Sequence, residues 1–443
     1  MPSPRALLLA SAALFGAFVV GLLVVRPRAP APATTTSART TPSPPPQKLS
    51  VVPSAFTAQA DAPDATVIRW GPAGGRPLLW QPVAQGHAEL TGLLPNTRYT
   101  ATAGHDTVTF RTASVPPTVS ATVADGALRL DGDPFFPVLA WEECPDRWEP
   151  DLRDGVTLFA GNPCTNLGSL LAAVAGRVVV AGTAQDATGT TGPGLIGWFY
   201  PDEADARGYT GRTLASVEPG ARFLTLTSHF FPEAAPLPAG RAMYAGLVRR
   251  TDVVGFDLYP LQELCRPDLL PWVFDAQAFL RRLAQPRATF QWIEDRELKC
   301  PSAADAISPA TIRVESWLAI AGGATGLGFF PGNFDESARR GIRSVTRQIR
   351  ALLPALVRPP VPIAISPAAP DVRSSGRVLG GAVYVIAVNA GATSAAVTLT
   401  APQLEHRRFL SADGGGRLDA HRRSLAVALP PMSVRIYVSP PQH

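Results

Sequence analysis

The chain has few of the residue types from which metal, nucleotide and thiol sites are built. Its 443 residues include only six histidines and four cysteines, which form neither an H-E-x-x-H segment nor a C-x-x-C pair. No G-x-G-x-x-G segment opens a helix after a strand, and a G-x-S-x-G elbow is absent. We therefore expect no metal, no cofactor and no serine nucleophile of the elbow type.

Excess positive charge is missing from most of the chain. The formal net charge is +5, but five basic residues and no acidic residue lie among the first 50 positions. The rest of the chain therefore carries 35 basic and 35 acidic side chains. A neutral body does not favour a phosphate-binding surface, so we expect no nucleic-acid partner.

The amino-terminal segment is apolar and then rich in proline. Residues 6–25 form an uncharged apolar run, which as a helix at about 1.5 Å per residue would span a hydrocarbon core of about 30 Å. This run exceeds the roughly 7–15 apolar residues of a signal peptide, which favours a retained membrane anchor at residues 1–28, with a cleaved signal as the alternative. Residues 29–50 are rich in proline and threonine and predict a disordered stalk.

The four cysteines are an even number in a chain with an apolar leader. This combination is typical of an exported protein in an oxidising compartment. We predict the disulfides Cys144–Cys164 and Cys265–Cys300. Four unpaired, buried thiols are the alternative.

Residues 51–117 contain short runs of alternating apolar and polar residues, which predict β-strands. The element L-x-P-x-T-x-Y at residues 93–99, with a closing strand that ends at residues 110–112, resembles the end of a fibronectin type III domain. The resemblance implies a β-sandwich in which the Tyr99 hydroxyl is hydrogen-bonded to the backbone.

Residues 118–358 alternate between strand and helix patterns, which predict a (β/α)₈ TIM barrel. The clearest helix is predicted at residues 308–320, with Ser308 as its cap, and residues 182–194 carry no helical pattern. Residues 359–443 return to alternation and predict a carboxyl-terminal antiparallel β-sandwich. The eight predicted barrel strands are residues 134–141, 155–161, 177–182, 195–200, 222–228, 252–260, 288–294 and 324–331.

Acidic residues follow two of the predicted barrel strands. Asp202, Glu203 and Asp205 follow the fourth strand in the segment GLIGWFYPDEAD, and Glu294 follows the seventh. Barrel active sites lie at the carboxyl ends of the strands, so we expect the acids after strand four to point into a pocket. Two opposed carboxyl groups are what the hydrolysis of a glycosidic bond requires.

These segments resemble the large retaining clan of (β/α)₈ glycoside hydrolases, known as clan A. GLIGWFYPDEAD is similar to the Gly-Trp-x-x-x-Asp-Glu-Pro element of its uncharacterised bacterial branches, and TFQWIEDRE is similar to their nucleophile segment. The resemblance covers residues 128–356 and implies Glu203 as the acid/base and Glu294 as the nucleophile. Asp202 stands where many members have Asn, and its charge would raise the pKa of Glu203.

Other residues near the strand ends are candidates for contact with a substrate. Tyr259 could donate a hydrogen bond to the nucleophile, and Asp257 could line the barrel mouth or satisfy a buried polar layer. Each candidate has a structural alternative, because aromatic residues in barrels are mostly core and a lone histidine is mostly structural. The candidate substrate-binding residues are Asp202, Tyr259, His229, Trp141, Trp198, Trp292, Phe330 and Glu143.

The expected function is that of an exported retaining glycoside hydrolase, anchored to the outer face of the membrane or secreted. Its substrate would be an extracellular or cell-envelope polysaccharide or oligosaccharide, cleaved by double displacement. A non-catalytic glycan-binding protein with a degenerate barrel is one alternative. A structural role for the two β modules, with the barrel as a scaffold, is another.

Overall fold

The computed structural model describes residues 49–442, apart from residues 143, 163, 218, 301, 303–305, 331–335 and 415. The predicted anchor at residues 1–28 and nearly all of the predicted stalk lie outside the described residues, as does Glu143. Within the described part of the chain, no helix is both long and apolar enough to cross a membrane.

Eight parallel strands close into a barrel, as the sequence predicts. Each strand pairs with the next along the chain, and the last pairs with the first, with Leu139 beside Gly328. All eight strands overlap the predicted runs, which confirms the TIM-type barrel. The strands are β11 (Val138–Trp141), β12 (Leu158–Ala160), β13 (Val179–Thr183), β14 (Leu195–Phe199), β15 (Ala221–Leu226), β16 (Val253–Phe256), β17 (Ala288–Trp292) and β18 (Gly326–Phe329).

Aromatic side chains fill the interior of the barrel. The Phe199 and Phe223 rings stack with centroids 5.0 Å apart, and Trp292 meets Phe290 edge to face at 5.3 Å. Neighbouring strands carry glycine where these rings need space. A Cβ atom at Gly328 would lie 2.1 Å from the Trp292 ring, so a side chain there would displace the ring. The barrel is therefore a packed core and not a pore.

Helices cover the outside of the barrel. Helix α5 begins as predicted, because the Ser308 side chain accepts a hydrogen bond from the Thr311 N–H. The β13–β14 connection has only a 3₁₀ turn, Ala184–Asp186, as predicted. The β14–β15 connection also lacks an α-helix in its described residues, which the sequence did not indicate. The helices are α1 (Trp148–Asp154), α2 (Leu167–Val174), α3 (Tyr244–Arg249), α4 (Pro271–Ala284), α5 (Pro309–Gly322) and α6 (Glu336–Leu356).

Two antiparallel sheets precede the barrel, with strand orders β1-β2-β5 and β4-β3-β6-β7. Burial raises the pKa of Tyr99 to about 12, and its hydroxyl accepts a hydrogen bond from the Leu94 N–H at 2.9 Å. That bond agrees with the expected corner tyrosine, while the fibronectin type III assignment stays a prediction. A short sheet, β10-β9-β8, follows. The strands are β1 (Ser50–Pro53), β2 (Thr57–Asp61), β3 (Val67–Pro72), β4 (Leu79–Pro82), β5 (His87–Thr91), β6 (Arg98–Ala103), β7 (Asp106–Arg111), β8 (Ala121–Ala124), β9 (Ala127–Leu130) and β10 (Asp133–Phe135).

Two antiparallel sheets follow the barrel, with strand orders β19-β21-β22-β27-β24-β25 and β20-β23-β26. They share one apolar core, to which Val385 of the larger sheet and Leu399 of the smaller contribute. The fully buried Arg377 donates a hydrogen bond to the Ile320 carbonyl of α5, which ties the larger sheet to the barrel. The strands are β19 (Val361–Pro362), β20 (Ala364–Ser366), β21 (Val372–Leu379), β22 (Ala382–Asn389), β23 (Ala395–Thr400), β24 (Arg408–Ser411), β25 (Arg417–Asp419), β26 (Ser424–Leu429) and β27 (Ser433–Ser439).

Candidate active site

Four acidic residues meet at the carboxyl end of the barrel and are called here the outer acid cluster. Glu142 follows β11, Asp202 and Glu203 follow β14, and Asp257 follows β16. Charge interactions link Asp202 to Glu142 and Glu203, and Asp257 to Asp202 and Glu203. Glu142 and Glu203 have φ angles of 55° and 46°, in the left-handed region that glutamate rarely adopts. Such strained positions concentrate at functional sites.

The Asp257 side chain is hydrogen-bonded to the Glu203 side chain. Burial raises the pKa of Asp257 well above its usual range, and the charges of Glu203 and Asp202 raise it further. Two carboxyl groups can share a hydrogen bond only if one of them holds a proton. The raised pKa makes Asp257 the partner that holds this proton.

Asp202 adds negative charge to this pair. Burial and, next, the charge of Glu203 raise the pKa of Asp202 to about 6, while Arg207 opposes the shift. The charge of Asp202 also raises the pKa of Asp257 by like-charge repulsion.

A second group of acids lies deeper and is called here the inner acid cluster: Glu294, Asp295 and Glu315. Each is at most 1% exposed. The Glu294 side chain accepts hydrogen bonds from the Leu261 N–H at 3.1 Å and the Gln262 N–H at 2.6 Å, one on each oxygen. Glu294 thus anchors the loop that follows β16.

Glu315 of α5 supports Glu294 from the other side. Its Oε1 accepts a hydrogen bond from the Glu294 N–H at 3.1 Å, and the two side chains are also hydrogen-bonded. Burial raises the pKa of Glu315 well above its usual range, and the charge of Glu294 raises it further. Glu315 therefore holds a proton beside the Glu294 carboxylate. The sequence signal for this residue is an acid within the apolar stretch of α5, and sequence reasoning missed it.

Glu203 and Glu294 thus lie at the predicted strand ends but belong to different hydrogen-bonded clusters. Glu203 is half-buried, whereas Glu294 is almost fully buried and both of its oxygens accept backbone hydrogen bonds. The assignment of Glu294 as a nucleophile stays a prediction. Within the described residues, no group of His, Cys, Asp or Glu has the arrangement of a metal site.

Tyr259 lies beside both clusters. Burial raises the pKa of Tyr259 well above its usual range, followed by the charges of Asp257, Asp295 and Glu315. Its ring packs against Phe330, with centroids 5.4 Å apart. The half-buried Tyr259 is therefore close to acids of both clusters.

Asp205 corrects the expectation that every acid after β14 points into a pocket. It is 2% exposed and accepts hydrogen bonds from the Thr227 N–H at 3.0 Å, the Thr227 hydroxyl at 2.6 Å and the Tyr244 hydroxyl at 3.0 Å. Asp205 therefore fixes the loop that carries Glu203 to the end of β15.

Two of the predicted sugar-binding tryptophans are core residues. Trp198 is fully buried outside the barrel, where its Nε1 donates to the Pro219 carbonyl at 2.7 Å, so its expected contact with a sugar is wrong. Trp292 is 4% exposed inside the barrel and donates to the Thr225 hydroxyl at 2.9 Å. Such a position fits packing better than substrate contact.

The other predicted contacts lie nearer the surface. Trp141 is half-buried and packs on Phe199 and Trp292. Phe330 is 8% exposed, with the Arg296 guanidinium 4.5 Å from its ring centroid. The half-buried His229 lies 2.6 Å, through Nδ1, from the Ala235 carbonyl, which is a structural contact within its own loop.

Both predicted disulfides are confirmed, and both lie at the carboxyl end of the barrel. Cys144–Cys164 joins the loops after β11 and β12, and Cys265–Cys300 joins the loops after β16 and β17. The Gln262 side chain adds to the second link by accepting a hydrogen bond from the Leu298 N–H at 2.7 Å. The loops that carry the acid clusters are therefore cross-linked.

Comparisons with known proteins give similarity to solved structures only. No family model matches the chain, and no curated protein matches it. A candidate α-galactosidase/melibiase from Bacteroides fragilis is 11% identical, with a TM-score of 0.44, over 89% of this chain and 97% of that one. A GH30 endoxylanase from Clostridium papyrosolvens is 10% identical, with a TM-score of 0.41, over 72% and 99%. An α-amylase from Anoxybacillus is 12% identical, with a TM-score of 0.39, over 67% and 90%.

Proposed function

We propose that this chain is a glycoside hydrolase that works at the carboxyl end of its barrel through Glu203 and Asp257. The observation that supports the proposal most is the hydrogen bond between these two carboxyl groups. It places Asp257, whose pKa is raised, beside a second carboxyl group at the place where barrel enzymes carry their chemistry. Glycoside hydrolysis needs two carboxyl groups, of which one donates a proton.

In the proposed reaction, Asp257 gives its proton to the leaving oxygen while the Glu203 carboxylate attacks the anomeric carbon. The C–O bond to the leaving sugar breaks, and a glycosyl ester forms on Glu203. Asp257, now ionised, takes a proton from water, whose oxygen displaces Glu203 from the sugar. The reaction regenerates both groups.

The contact between the two carboxyls favours retention of configuration. An inverting enzyme keeps its carboxyl groups roughly 6.5–9.5 Å apart to hold a water molecule, whereas a retaining enzyme needs about 5–5.5 Å. Hydrogen-bonded carboxyls have to separate only slightly to reach the retaining distance.

The arrangement expected from the sequence is the alternative for the same activity. There Glu203 is the acid/base and Glu294 the nucleophile. The buried position of Glu294 and its bonds to the Leu261 and Gln262 N–H groups favour an anchoring role instead.

Four variants distinguish these arrangements, with reducing-sugar release measured on a panel of plant and bacterial polysaccharides. Glu203→Gln and Asp257→Asn are each expected to lower kcat by about 10²- to 10⁴-fold, the range for a lost acid or base. Asp419→Asn, which changes an exposed carboxylate of the carboxyl-terminal sheet, is the control and should keep the wild-type rate. Full activity of both Glu203→Gln and Asp257→Asn would contradict the proposal. If Glu294→Gln failed to form the glycosyl ester while Glu203→Gln still formed it, the alternative with Glu294 as the nucleophile would be favoured.

A non-catalytic glycan-binding protein is the second candidate function. Its support is the packed barrel, whose aromatic interior extends up to the half-buried Trp141 at the carboxyl end. Affinity gel electrophoresis tests this candidate. It would be favoured if a polysaccharide in the gel retarded the wild-type protein and the protein released no reducing ends from that polysaccharide.

The cellular setting is also part of the proposal. Two disulfides support export, because they persist in oxidising compartments. We propose an extracellular or cell-envelope glycan as the substrate. Anchoring by residues 1–28 and the fibronectin type III-like nature of residues 51–117 rest on the sequence. Fractionation of cells that express the full chain tests the anchoring.

A further inference from the structure

A cavity of about 500 Å³ lies at the opposite end of the barrel from the acid clusters. Its wall is formed by the turn before β12, the segment before β13, the amino-terminal sheets and α6. Its volume is within the usual range of about 300–1,000 Å³ for small-molecule sites. The cavity is therefore separate from the proposed catalytic site.

The charged residues that line this cavity are all arginines. Arg111, Arg177 and Arg350 contribute to its wall, and none of the described residues that line it is acidic. Arg177 is paired with Glu149, which lies outside the cavity wall. Among the described residues, Arg111 and Arg350 form no ion pair. In the part of the chain that the structure describes, these two guanidinium groups thus have no ion-pair partner.

Two further observations indicate an anion. The Nε atom of the half-buried Arg350 is buried and has no hydrogen-bond partner among the described residues, and leaving such a donor unpaired costs free energy. Arg111 lies directly across β6 and β7 from Arg98, and like charges at opposed strand positions destabilise a sheet. A bound anion would relieve both costs.

Two other polar side chains of the wall, Asn96 and Ser114, have hydrogen-bond partners within it. The Asn96 side chain donates to the Gly176 carbonyl at 2.8 Å, and the Ser114 hydroxyl donates to the Asn96 side chain at 2.9 Å. These bonds fix the amino-terminal sheets to the α2–β13 connection. They leave the arginines as the strongest groups available to a ligand.

We propose that this cavity binds a small molecule through a carboxylate or phosphate group held by Arg111 and Arg350. Guanidinium groups bind such oxyanions with paired hydrogen bonds. The chemistry suits a sugar acid or free phosphate. The site is independent of the proposed hydrolase activity.

Isothermal titration calorimetry of the wild-type protein with D-glucuronate, inorganic phosphate and D-glucose tests the proposal. We expect saturable binding of glucuronate or phosphate that weakens as salt is added, and no binding of the uncharged glucose. Tighter binding of glucuronate would identify a sugar acid, and tighter binding of phosphate would identify the free ion. Absence of binding by both anions, or equal binding of glucose, would overturn the proposal.

Three variants locate the site. Arg111→Gln and Arg350→Gln should each weaken anion binding about tenfold or more, as expected for loss of a charge-assisted hydrogen bond. Arg347→Gln is the matched control, because Arg347 lies on α6 one turn before Arg350 and lines a different cavity, which Arg350 also borders. If Arg350→Gln and Arg347→Gln weakened anion binding and Arg111→Gln did not, the ligand would lie in that other cavity. This result would overturn the proposal. Arg111 is exposed, so its variant tests the site even if Arg350→Gln does not fold.

Discussion

Asp257 and Glu203 form a carboxyl–carboxyl hydrogen bond across the ends of β14 and β16. The bond joins a protonated acid to a residue whose backbone lies in the left-handed region. Asp205 holds the Glu203 loop against β15, and Glu294 holds the loop that follows Asp257. The two buried acids thus fix the two loops that present the outer pair.

The first prediction concerns the pH dependence of hydrolysis. The proposed acid, Asp257, must be protonated, so the rate should fall as pH rises through its raised pKa. The negative charge of Asp202 contributes to that elevation. Asp202→Asn removes this charge and should lower the pKa of Asp257, which moves the basic limb of the kcat/KM profile to lower pH.

Measurement of kcat/KM against pH on one substrate checks this prediction. The control is Asp419→Asn, which changes an exposed carboxylate of the carboxyl-terminal sheet and should leave the basic limb in place. An unmoved basic limb in Asp202→Asn would show that Asp257 is not the group that sets it.

The second prediction concerns stability and Glu315. Because its pKa is raised in the folded state, the stability that its proton provides is present at low pH and is lost as pH rises through the folded pKa. Glu315→Gln does not titrate, so its free energy of unfolding should exceed that of the wild type increasingly at alkaline pH. Glu315→Leu should lower this free energy by about 1–3 kcal/mol at neutral pH, because it leaves the Glu294 N–H unpaired.

Urea unfolding of the three proteins at several pH values measures these differences. If the urea midpoints of the wild type and Glu315→Gln changed with pH in the same way, Glu315 would not carry a proton in the folded state.

The third prediction concerns the disulfide Cys265–Cys300, which closes a sequence separation of 35 residues. The double variant Cys265→Ser/Cys300→Ser should lose about 2–4 kcal/mol of unfolding free energy, because the unfolded chain gains freedom. Cys144→Ser/Cys164→Ser is the comparison, with a separation of 20 and a slightly smaller expected loss. Denaturant unfolding checks both. Equal stability of the wild type and the Cys265→Ser/Cys300→Ser protein would contradict the prediction.

Much of the fold could be predicted because its signals are local. Each barrel strand is a short apolar run bounded by turn residues, and α5 begins where Ser308 and Pro309 predict a helix start. The absence of an α-helix between β13 and β14 could be predicted for the same reason, because apolar residues do not recur at helical spacing in residues 182–194. The absence of an α-helix from the described residues between β14 and β15 could not be predicted, because the segment after Glu203 forms turns held by distant partners such as Thr227.

The roles of the acids could not be predicted from their neighbours in sequence. Asp202, Glu203 and Asp205 stand in one segment, yet only Asp205 is buried, since Thr227 and Tyr244 bind it from other parts of the chain. Glu294 ends its strand as expected, but the backbone of the β16 loop binds it. Sequence identifies acids at strand ends, whereas the loops that surround them decide which acids remain accessible.

The carboxyl group that bonds to the sugar can be identified directly by trapping the glycosyl ester. The protein is incubated with 2-deoxy-2-fluoro glycosyl fluorides of the sugars that it releases, and the labelled peptide is sequenced by mass spectrometry. We expect a glycosyl ester on Glu203 in the wild type and no ester at that position in Glu203→Gln. An ester on Glu294 would contradict this expectation.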